Sequence, residues 1–95
     1  MTPTPPVVGE TTVARLTLRD EARRPIDGAK LRIEGHMSHP GMAPFIVTPE
    51  EEGDGLYEAH LEFTMAGDWI LLVTGELPGQ RRLSHRIEVT NVQPK

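Results

Sequence analysis

The segment His36-Met37-Ser38-His39-Pro40-Gly41-Met42 is where this sequence concentrates its chemistry. Four of its seven residues are His or Met, in a chain that has only four of each. A window of that length drawn at random would hold fewer than one. Met65, the remaining methionine apart from the first residue, stands just before Ala66-Gly67. Imidazole and thioether together select copper, because the thioether is soft and suits Cu(I) while imidazole suits both common copper states. Neither group forms a disulfide in an oxidising compartment. Histidine protonates below about pH 6.5, so affinity for a metal falls in acid. The candidate ligands are therefore His36, Met37, His39, Met42 and Met65. Met37 and Met65 also continue the inward phase of their segments, which makes core packing the competing reading for both. The spacing His36-x-x-His39 could engage zinc with Glu34, but no further carboxylate completes the usual set, and zinc is not favoured.

The elements that must position these residues are strands. Ala14, Leu16 and Leu18 alternate with Arg15, Thr17 and Arg19, and Leu31 and Ile33 alternate with Lys30, Arg32 and Glu34. Tyr57, Ala59, Leu61 and Phe63 follow the same rule, as do Leu83, Ile87 and Val89. Period-two alternation marks an antiparallel strand with one face in water. Trp69 to Val73 is apolar on both phases, as a central strand would be, and Phe45-Ile46-Val47 is a short further piece. Turn signals separate the segments: Arg24-Pro25-Ile26-Asp27-Gly28, His39-Pro40-Gly41, Glu52-Gly53-Asp54-Gly55, Ala66-Gly67-Asp68 and Leu77-Pro78-Gly79. No helical repeat occurs. Six to seven short strands at this spacing predict an all-β, immunoglobulin-like antiparallel sandwich.

Length and composition agree with one small domain. The chain has 95 residues, with nine Gly, nine Pro and four aromatic residues among them, and no cysteine. Zero cysteines exclude disulfides and thiolate metal sites. A net charge of −4 and few aromatics argue against nucleic acid as a partner. No apolar run approaches a membrane span. Residues 1–8 read as a Pro-rich linker, 9–91 as the sandwich and 92–95 as a disordered tail. A start of this kind suits a domain whose membrane anchor lies upstream.

Reversing direction at each turn brings the 36–42 and 65–68 turns to one end of the sandwich, where Met65 can approach His39 and Met42. His60 lies on a wet face, and His85 falls on the apolar phase of its strand, as a buried, hydrogen-bonded histidine would. Glu50-Glu51-Glu52 reads as a solvated acidic turn. Ser38-His39 has neither a nucleophile elbow nor a third partner, and no phosphate loop is present. No acid, base or nucleophile can be placed, so the chain is read as a non-enzyme.

The order of these features resembles the YtkA-like family, close to the FixH group of membrane-tethered periplasmic proteins. The resemblance runs from about Val8 to Val89. Pro25-Ile26-Asp27-Gly28-Ala29 is similar to the family's opening, and the His/Met turn and Gly55-Leu56-Tyr57-Glu58-Ala59 follow in order. Met65-Ala66-Gly67-Asp68-Trp69 is similar to the family's Met-x-Gly-x-Trp step. This chain departs from the common form of the family's turn, because Pro40 stands further along than the usual Met-Pro. The resemblance implies an immunoglobulin-like domain on the outer side of a membrane, periplasmic and tethered. It also implies copper handling or cytochrome oxidase maturation, with an oxidase or its assembly factor as the copper-accepting partner. The alternative is a structural or protein-interaction sandwich without a metal.

Overall fold

The computed structural model describes residues 5–37 and 43–94. Seven strands form two antiparallel sheets packed as a sandwich. The three-stranded sheet has the order β1-β5-β4, with β1 at Thr11–Thr17, β5 at Leu56–Glu62 and β4 at Glu50–Gly53. The four-stranded sheet has the order β3-β2-β6-β7, with β3 at Phe45–Val47, β2 at Lys30–Met37, β6 at Gly67–Leu77 and β7 at Arg81–Val92. Thr48 and Pro49 carry the chain from β3 in one sheet to β4 in the other.

The alternation in the sequence decides which residues face inward. Ala14, Leu31, Ile33, Tyr57, Ala59, Leu61, Phe63, Trp69, Leu71, Val73 and Val89 are all buried. Phe45, Phe63 and Trp69 meet at one end of the core, with ring centroids 5.3–5.5 Å apart and edge-on or tilted planes. Such edge contacts set the positive rim of one ring against the negative face of another. Gly35 makes room for them. A Cβ on this residue would collide with the Phe45 ring.

The opposite end is tied by Tyr57, which is 1 % exposed. Its hydroxyl donates to Ile26 O at 2.8 Å and accepts from Ala29 N–H at 3.1 Å. The Asp27 carboxylate accepts from Gly55 N–H, and the Glu51 carboxylate accepts from Gly28 N–H. The Pro25–Ala29 loop is thereby docked on the β4–β5 hairpin. Gly55, at φ +74°, has Leu18 O only 2.5 Å from where a Cβ would stand, so both its backbone and its space require glycine. Before this loop, the Asp20 carboxylate accepts from the N–H groups of Ala22 and Arg24 and pairs with the Arg24 guanidinium. The Arg24 backbone N–H is the chief cause of a pKa lowered below the usual aspartate value.

Three expectations change. Glu50–Glu52 is the edge strand β4, because the chain crosses sheets at Pro49 and pairs with β5 before it turns at Gly53-Asp54-Gly55. His85 is exposed although it shares the phase of Leu83 and Ile87. This stretch of β7 borders an open hollow that it shares with Arg15, Leu16, Thr17, Leu18 and Val73. The ordered fold is also wider than 9–91. Pro6 and Val92 are buried, Val8 packs on the core, and Val8 N–H and Gln93 N–H bond to Gln93 O and Pro6 O. These backbone bonds compensate for the polarity of the two ends. Positions 1–4 and 95 lie outside the described residues.

Two substitutions test this account. Tyr57→Phe leaves Ala29 N–H and Ile26 O without their partner and should cost about 1–3 kcal/mol in urea unfolding. Thr12 Oγ1 is buried without a hydrogen-bond partner. The isosteric Thr12→Val should therefore raise stability by about 1 kcal/mol in the same assay.

Candidate functional site

The register of β2 against β6 determines what lies at the aromatic end. His36 is opposite Ile70 and Met37 is opposite Trp69, so the last residues of β2 lie beside the first residues of β6. Neighbouring residues on a strand face opposite ways. Met37 therefore enters the core while His36 stands on the outer face of the four-stranded sheet. Met37 is 9 % exposed, and its methyl packs over Gly67, 3.6 Å from where a Cβ would stand. Its thioether serves the core, in keeping with its phase.

His36 Nε2 lies 3.1 Å from Glu34 Oε2, and the other oxygen of that carboxylate is 2.9 Å from Arg32 Nη2. Arg32, Glu34 and His36 thus form a row along one face of β2. With Nε2–H donating to Glu34, Nδ1 is the ring's free ligand atom. The residue that orients this imidazole follows from the sequence, since an i, i+2 pair on a strand shares a face.

Met65 is placed differently from the inward phase of its segment. The strand phase ends at buried Phe63, and Met65 is 46 % exposed. The cause is Trp69, whose indole N–H donates to Met65 O at 2.9 Å and closes the turn that swings Met65 into solvent. The matching turn on β7 is a bulge. Gly67 pairs with Val92 and Trp69 with Val89, leaving β7 one residue longer, and Asn91 N–H donates to Asp68 Oδ1 at 3.0 Å. The positioning roles of Trp69 and Asp68 were not read from the sequence. Met-Ala-Gly-Asp-Trp gives a turn signal, but the indole bond depends on which way the buried ring points.

His39 and Met42 lie outside the described residues. Among those described, no group of three or more His, Cys, Asp or Glu side chains is placed to share a metal ion. Met65 is the exposed methionine among the described residues, and it sits on the turn beside the strand that leads into 38–42. His60 is exposed, 3.4 Å from Glu58, and away from this end on the three-stranded sheet.

The YtkA-like family model matches residues 1–74, which hold β1 to β5 complete and most of β6. The chain belongs to the YtkA-like family. A comparison with curated proteins gave no match. Among solved structures, the chain is similar to one titled a "putative glycoside hydrolase" from Bacteroides vulgatus ATCC 8482, with a TM-score of 0.64 and 15 % identity. The match covers 93 % of this chain and 16 % of that one, so the likeness is to one module of a much longer protein and shows the fold alone.

In this YtkA-like domain the two methionines separate by stability. Met37→Ala should cost about 2–5 kcal/mol in urea unfolding, as emptied core positions do. Met65→Ala should change stability by no more than about 0.5 kcal/mol. Equal losses at both sites would contradict the exposed placement of Met65.

Proposed function

We propose that this YtkA-like domain is a non-enzymatic copper-binding module that carries or buffers Cu(I) at the aromatic end of the sandwich. The observation that carries the reading is the pairing of Met37 with Trp69, which sets the exposed Met65 turn beside the strand leading to His39 and Met42. Met65, Met42 and His39 are the proposed ligands, with His36 Nδ1 as a fourth donor and Met37 as the apolar wall behind them. A neutral, thioether-rich set favours Cu(I). Soft thioether ligands can be exchanged one at a time, which suits delivery to an acceptor.

The proposed place of work is the outer side of a membrane, where His and Met keep their ligand chemistry under oxidising conditions. The acceptor proposed is a copper-requiring membrane protein such as an oxidase or its assembly factor, consistent with the FixH-like reading of the sequence.

An anaerobic Cu(I) titration against a competing chelator tests the proposal. One equivalent should bind, with the methyl resonances of Met42 and Met65 moving together. Met42→Leu and Met65→Leu should each weaken binding by at least tenfold, about 1.4 kcal/mol. Affinity should also fall in acid, because protons compete with the metal for its imidazole ligands. Absence of competitive binding, or binding unchanged in both variants, would overturn the copper reading in favour of a metal-free interaction module.

A further inference from the structure

The longest strand, β7, is an edge strand of 12 residues. The other edges are shorter: three residues in β3, four in β4 and seven in β1. Among the described residues the outer edge of β7 is met only at Gln93, by the parallel bridge from Val7. Residues 81–90 thus present a row of backbone donors and acceptors of the kind that pairs with another strand.

The charges along β7 select the partner. In a symmetric pair of β7 strands, a twofold axis perpendicular to the sheet keeps both core faces on one side. Opposed residues then share a face, so the axis must pass through a residue position. Centred on Ser84, Arg82 meets Arg86. Centres at Arg86 or Glu88 stack like charges on themselves. A centre at His85 sets Arg82 against Glu88 but leaves Arg86 opposite Ser84. A centre at Ile87 gives two reciprocal Arg86–Glu88 pairs, with Ile87 on Ile87 and His85 on Val89.

Arg86 and Glu88 are both largely exposed and lie 3.4 Å apart within one chain, so they stand ready on the same face. Ile87, half-buried against the core, would gain cover from its own counterpart. By contrast β1 carries a single charged residue, Arg15, and no register of β1 on itself can neutralise it.

We propose that two copies of this chain associate edge to edge through antiparallel β7 strands centred on Ile87, joining their four-stranded sheets into one continuous sheet of eight. Opposite charges directly across a strand pair favour a register, and like charges disfavour it. The symmetry makes each salt bridge occur twice.

Sedimentation equilibrium on the full 95-residue chain tests the proposal. The wild type should show twice the mass of the 10.5 kDa chain. R86E and E88R should each weaken self-association by tenfold or more, since each sets like charges against one another at both reciprocal positions. Equimolar R86E and E88R should form a mixed dimer, and the double variant R86E/E88R should recover association. These exposed positions leave folding intact, which circular dichroism of each variant checks. A wild-type chain that stays monomeric at its highest soluble concentration would overturn the proposal, as would a dimer indifferent to both single changes. Loss of the dimer in the double variant would overturn the Ile87 register, because Glu88 would then be facing Arg82.

Discussion

Three aromatic rings packed at one end govern the architecture around them. Phe45 comes from a short edge strand of one sheet, Phe63 from the residue just past β5 of the other, and Trp69 from the central strand β6. In a chain with only four aromatic residues, this cluster gathers three of them between the sheets. It stands only because Gly35 has no side chain, and it orients the Trp69 indole so that its N–H reaches Met65 O. The ring packing and the turn that places Met65 outside are thus linked through one residue, Trp69.

Much of this was legible in the sequence, and the failures share a cause. Alternation identifies which residues share a face, and for β2 and β5 the buried set is the set the pattern marks. Alternation does not say whether anything covers that face. His85 is on the core phase of β7, yet it lines an open hollow between the sheets instead of packing against a neighbour. Leu72, 36 % exposed, and the half-buried Ile70 lie on the outer face of a strand whose doubly apolar pattern suggested cover on both sides. Glu50–Glu52 has no apolar residue to alternate, so its strand character comes entirely from backbone pairing with β5. The ends of the domain were missed for a related reason: Pro6 and Val92 are fixed by contacts distant in sequence.

The candidate site is divided in the same way. Clustering of His and Met was visible without a structure, and the strand phase separated Met37 from His36. What the pattern left open was Met65, for which packing and exposure were both reasonable. A tryptophan four residues on decided it. The docked loop Pro25–Ala29 and the Met65–Trp69 step are both tied by buried aromatic side chains, Tyr57 in one case and Trp69 in the other.

The bridge between Val7 and Gln93 has a mechanical meaning. The two segments run parallel, so the chain arrives at this pair from one direction and departs in the other. A pull applied through both termini would load Val8 N–H to Gln93 O and Gln93 N–H to Pro6 O along the strands, straining both bonds together. An antiparallel closure would instead open one bond at a time, like a zip. A domain attached at both ends to larger structures would thus resist traction in shear, with its terminal segments acting as a clasp over the core.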